Sequence, residues 1–181
     1  ARRIAPRATL VGVRGRATEE GSNRWFRRID ASTFDQADIR EEADAFAAFV
    51  EGAVTGYGLD PYRLAFIGYS NGANFLAAAM QLHPGVVRCA ILLRGVQALE
   101  KPEAVDLSCT RVLVLNGRDE EATFRTASNL ADDLRFSGAN IETQVVPAGH
   151  DLSGEDVKVA ARWLRQNLPG SKRGQRSDHS A

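Results

Sequence analysis

Residues 66–73 read FIGYSNGA, an apolar run of strand formers that ends in Ser70, bracketed by Gly68 and Gly72. A serine in the pattern G-x-S-x-G, set between a strand and a helix, has its hydroxyl thrust out at the helix N-terminus, where it can act as a nucleophile on an acyl carbon. The turn is so tight that side chains at both flanking positions are expected to collide with neighbouring backbone, and the serine itself is expected in a strained conformation. The backbone N–H of Asn71 and the dipole of the helix it begins would stabilise a developing oxyanion.

A serine hydroxyl is a weak nucleophile until a base takes its proton, and the chain has three histidines. His83 lies at the far end of the helix that Ser70 begins, roughly 18 Å away at 1.5 Å per residue, where it favours a capping role. His179 falls in a polar tail. His150 follows the last apolar strand in a Gly-His loop and is the expected base. The imidazole in turn needs a carboxylate to fix its tautomer. Asp119, which follows the run RVLVL through NGR, gives the chain order Ser, Asp, His, with Glu120 as the reserve. Glu121 would begin a helix, where an acid serves the dipole, and Asp151 adjoins His150 too closely in the chain to turn toward it.

These groups must be held by a sheet. TLVGV at 9–13 reads as a first buried strand, and 63–69, 87–93, 111–115 and 141–146 as four more. Between them lie helical patterns. From about Asp35 to Gly56, Ile39, Ala43, Phe46, Val50 and Val54 recur every three or four residues, with Asp38, Glu41, Glu42 and Glu51 on the other side. Residues 71–82 are rich in helix formers, 121–136 align Phe124, Ala127, Ala131 and Leu134, and 154–168 align Val157, Ala160, Ala161 and Leu164. The stretch RATEEGSNRWFRRID at 16–30 has no period and reads as an exposed loop. Alternating strands and helices predict an α/β domain over 1–168 with a mostly parallel sheet covered on both faces, followed by a disordered tail at 169–181. In such a sheet ligands bind beyond the carboxyl ends of the strands, where Ser70, Asp119 and His150 all fall.

The 181 residues carry 23 Lys plus Arg against 23 Asp plus Glu, so no bulk charge points to nucleic acid or an anionic membrane. Partners are expected among small molecules. Cys89 and Cys109 lack metal-ligand spacing and read as buried thiols in a reducing compartment. No apolar run approaches the roughly 20 residues of a membrane span, and ARRIAPRATLV lacks the apolar core of a signal peptide, so the expectation is a cytoplasmic protein without membrane insertion. Arg14, Arg16, Arg24, Arg27 and Arg28 either attract an anionic substrate or form a solvated loop balanced by nearby acids; the second reading is favoured.

From Ala5 to Leu168 the chain resembles the phospholipase/carboxylesterase family of α/β-hydrolases, which includes acyl-protein thioesterase-like enzymes. The likeness rests on VRGR, SNRWFRRID, DPYRLAFIGYSNGANFLAAA, LNGRDEEAT and VVPAGHDLSGEDV. RWFRRID resembles the variant in bacterial esterases linked to quinone and hydroquinone stress. The resemblance implies a serine hydrolase of small carboxylic esters that works without metal or cofactor, with Ser70 as nucleophile, Asp119 as acid and His150 as base. It places Trp25 on the wall of an acyl pocket, the alternative being ordinary loop packing. Tyr69, beside the nucleophile, is assigned with Trp25 to substrate binding. Thioester cleavage, acyl transfer by the same triad and a catalytically impaired, non-enzymatic domain remain open, as does a homodimer. The family's earlier strands and its L-H-G-x-G loop, which supplies half of the oxyanion hole, have no counterpart in the sequence. The expectation is an N-terminally truncated fold in which TLVGV lacks its usual neighbour.

Overall fold

The computed structural model describes residues 1–19, 21–30, 33–118 and 121–168, with the backbone alone for 121–128. Asp119, Glu120 and the tail from Pro169 lie outside the described residues. The chain forms β1 (Ala17–Glu19), β2 (Ser22–Arg24), α1 (Gln36–Tyr57), β3 (Phe66–Tyr69), α2 (Asn71–Leu82), β4 (Cys89–Leu93), β5 (Arg111–Gly117), α3 (Glu121–Phe136), β6 (Asn140–Val146) and α4 (Gly154–Asn167).

The central sheet runs β3-β4-β5-β6, every pair parallel. Alternation along its two inner strands assigns each residue to a face. Ala90, Leu92, Val112 and Val114 join α1, α2 and α3 in one core, while Cys89, Ile91, Leu93, Leu113 and Leu115 join α4 and Ile4 in the other. The register sets Tyr69, Leu93 and Leu115 side by side. The residues after β3 and β4, Ser70 and Arg94, therefore leave the sheet at one level, and their N–H groups extend the ladder to Leu93 O (2.8 Å) and Leu115 O (3.0 Å).

α1 starts at Asp35, whose carboxylate accepts from the N–H groups of Ala37 and Asp38, and stops at Gly58 in the left-handed region (φ 61°). α2 is buried almost throughout, from Ala73 to Gln81, and its alanines let it lie close against α1 and β3. Among the described residues no helix is long and apolar enough to cross a membrane.

Four expectations need correction. TLVGV forms no strand, and Leu10, Val11 and Val13 are 37%, 60% and 40% exposed. It pairs with none of the strands of the described sheet, β3 at the edge included, and β-forming residues alone do not make a strand. The supposed loop at 16–30 contains the antiparallel β1–β2 hairpin, and Phe26 is wholly buried. That hairpin region folds back over the start of α1. Asp38 and Glu42, expected outside, are consequently buried, and they accept from Arg27 N (2.7 Å) and Arg16 Nε (3.0 Å) respectively. Cys109 is exposed in the turn before β5, where Leu107 and Thr110 face inward instead. Cys89 is buried as expected, and burial pushes its thiol up to about 11, which leaves it unreactive near neutral pH.

Candidate active site

The turn from β3 into α2 has the geometry that its sequence implies, with one difference. Ser70 has φ 51° and ψ −119°, a conformation that L-residues rarely adopt. A Cβ on Gly68 would sit 2.5 Å from Gly72 O and 2.7 Å from Ala73 Cα, so glycine is required there. Gly72 is under no such constraint from backbone outside its own helix. The nearest atom to a Cβ there is Trp25 Nε1 at 3.4 Å, an ordinary contact.

Asp35 and Ser153 each turn a side-chain oxygen back to cap the helix they precede. Ser70 precedes α2 but makes no side-chain cap bond; its Oγ lies 3.1 Å from His150 Nε2. The two residues are 80 apart in the chain, and they meet because β3 and β6 both end at the same edge of the sheet. The N–H of Asn71, the first residue of α2, is among those at a helix N-terminus without an intrahelical partner. The Asn71 side chain has a separate task, since its Oδ1 accepts from Trp25 N at 2.7 Å. Trp25 is thereby held over the turn. Its ring stacks on Phe75 (centroids 4.3 Å apart, planes at 7°) and meets Phe46 edge-on.

The loop that carries His150 is fixed from three directions. Tyr69 Oη donates to His150 O at 3.0 Å, and its ring centroid lies 5.3 Å from the imidazole's. Gly117, at the end of β5, approaches the loop so closely that a Cβ would fall 2.3 Å from Ala148 O and 2.5 Å from Gly149 O. Arg94, wholly buried with φ 56°, donates to Gly149 O and Asp151 O and pairs with Asp156. Burial pushes the Asp156 carboxyl up, but the bonds from Arg94 and from Ser153 N and Oγ outweigh it and hold the group below the usual aspartate range.

The sequence reading missed Arg94. Its only sign there is a cation directly after the fully apolar run CAILL. His83 caps the C-terminus of α2 as expected, its backbone N–H donating to Ala79 O at 2.9 Å, and its ring also pairs with Asp44, Nε2 to Oδ1 at 2.8 Å. Arg16, Arg24, Arg27 and Arg28 pair with Glu42, Glu19, Asp35 and Asp38, and Glu19 again, as the balanced-loop reading expects.

No family model matches the chain, so kinship rests on individual relatives. A crystal structure of a carboxylesterase from Mesorhizobium loti superposes with a TM-score of 0.87 at 42% identity, over 90% of this chain and 78% of that one. The Bacillus subtilis protein named "Putative hydrolase MhqD" is 30% identical over 166 residues, 91% of this chain and 83% of the relative. The chain belongs to the phospholipase/carboxylesterase family of α/β-hydrolases. The fold of this hydrolase recurs in the Bacillus cereus carboxylesterase, with a TM-score of 0.86 at 24% identity over 92% of this chain and 79% of that one. In the hydrolase family frame, the meeting of Ser70 with His150 at the strand ends is the feature of greatest chemical interest.

Proposed function

We propose that the chain is a serine hydrolase that cleaves small carboxylic esters through an acyl-enzyme, with Ser70 as nucleophile, His150 as base and Asp119 as acid. The observation that carries this reading is the 3.1 Å approach of His150 Nε2 to a serine Oγ that caps no helix. The Nε2 atom takes the hydroxyl proton as Oγ attacks the ester carbonyl, and the Asn71 N–H at the start of α2 stabilises the tetrahedral oxyanion. His150 then returns the proton to the departing alkoxide. A water molecule, deprotonated by the same imidazole, attacks the acyl-serine and releases the carboxylic acid and free Ser70.

Asp119 is assigned by chain order and stands two residues beyond Gly117, which pairs with Val146 on the strand leading to His150. Its role is to hold the imidazole tautomer that presents a bare Nε2 to the serine. Trp25 and Tyr69 border the turn and form the wall against which the acyl or alcohol group packs. Both core clusters share one sheet, which supports a single α/β-hydrolase domain over 1–168.

Treatment with a fluorophosphonate probe and peptide mapping tests the reading. The adduct is expected on Ser70, and Ser70→Ala and His150→Ala are expected to lower 4-nitrophenyl ester hydrolysis by at least about a thousandfold. An unlabelled Ser70, or a Ser70→Ala protein that hydrolyses as fast as the wild type, would sink it.

A further inference from the structure

We infer that Arg94 is a positioning residue for the base, a buried clamp that, together with the Tyr69 hydroxyl, holds the His150 loop at the distance from Ser70 that proton transfer needs. The inference rests on the reading of Ser70 and His150 as nucleophile and base.

Three consecutive backbone carbonyls of that loop each accept a hydrogen bond from a side chain at the end of β3 or just after β4. Arg94 Nε donates to Gly149 O at 2.8 Å, Tyr69 Oη to His150 O at 3.0 Å and Arg94 Nη2 to Asp151 O at 3.3 Å. The base is thus gripped at its own carbonyl and at the one on either side. The remaining Arg94 donors reach Leu115 O (3.3 Å) on β5 and both oxygens of Asp156 (2.7 and 3.1 Å) on α4. Among the described residues these bonds engage Nε and both terminal nitrogens of the guanidinium. One side chain therefore joins the end of β4, the end of β5, the His150 loop and the start of α4.

A stability role explains this arrangement poorly. A buried ion pair gains little over well-packed apolar side chains of the same volume, because both charges lose their hydration. Arg94 also holds a left-handed backbone conformation (φ 56°) that residues with a Cβ rarely adopt. Two unfavourable choices coincide at a residue whose N–H groups flank the base. Asp156 completes the device: its Oδ2 accepts from Ser153 N (2.7 Å) and Oγ (2.8 Å), so the carboxylate that orients Arg94 also closes the capping box of α4. The loop is fixed at both ends and in the middle. Tolerance at such a site is small, since a displacement near 1 Å costs on the order of a hundredfold in rate.

Arg94→Lys tests this directly. Lysine keeps a cation beside Asp156 but has a single nitrogen, which cannot bridge the Gly149 and Asp151 carbonyls while engaging both carboxylate oxygens. Tyr69→Phe, at an exposed position, removes the third bond without touching the buried pair. Ser70 labelling by a fluorophosphonate and the kcat and KM for a 4-nitrophenyl ester are measured on folded protein, quantified by near-ultraviolet circular dichroism. The expected result for Arg94→Lys is a fall in kcat and labelling rate of about tenfold or more with KM within about twofold, and for Tyr69→Phe a smaller fall of the same kind. Wild-type kcat and labelling in folded Arg94→Lys would overturn the inference. If that variant does not fold, Tyr69→Phe decides alone, and wild-type kcat there overturns it. Failure of the parent reading is distinct, because it appears as an unlabelled Ser70 in the wild-type protein.

Discussion

At the scale of single residues, the two glycines of G-x-S-x-G look equivalent in the sequence and are not equivalent in space. Gly68 faces the backbone of α2, whereas Gly72 faces the rim of the Trp25 indole. Gly68→Ala is therefore expected to destabilise the fold by about 1–3 kcal/mol, the usual range for forced overpacking. Gly72→Ala relieves the entropy cost of glycine in a helix, worth up to about 1 kcal/mol, at no serious contact. Urea midpoints of the two variants check this; equal losses at both positions would refute the distinction. The motif was legible because a tight strand-to-helix turn leaves few residue choices. Which glycine carries the steric burden was not, since that depends on an indole held 46 residues away in the chain by Asn71.

At the scale of elements, the helices and the inner strands were readable because their apolar spacing reports burial directly. Helices 71–82 and 121–136 match their expected bounds, and every residue of CAILL is buried. Readings failed where an element depends on a partner that the spacing does not encode. TLVGV has strand composition but pairs with no described strand, and Asp38 and Glu42 are drawn inward by arginines of the hairpin region. The Ser70 and His150 pairing was anticipated from strand ends alone; the close fit of β5 against the His150 loop was not. Gly117→Ala would insert a Cβ between β5 and the Ala148 and Gly149 carbonyls, and one of them must move. The expected outcome is a loss of Ser70 labelling rate approaching a hundredfold from a shift of about 1 Å, accompanied by a stability loss of about 1–3 kcal/mol. An unchanged labelling rate with lowered stability would show that β5 yields and the loop does not.

At the scale of the whole molecule, the order of strands across the sheet is also their order along the chain. From β4 to β6, each strand can therefore add to the one before it during synthesis. The Ser70–His150 pair obeys a different schedule. Ser70 directly follows β3, but His150 arrives 80 residues later, after β6. Refolding from denaturant should therefore restore helical ellipticity before Ser70 regains reactivity toward a fluorophosphonate; coincident recovery at every time point would mean that the sheet closes in one step. A nascent chain that has completed β3, β4 and β5 would hold a strained, exposed turn and still be chemically silent. On the proposed reading, reactivity would appear only once the His150 loop beyond β6 is in place, which makes Ser70 a reporter of how far folding has gone.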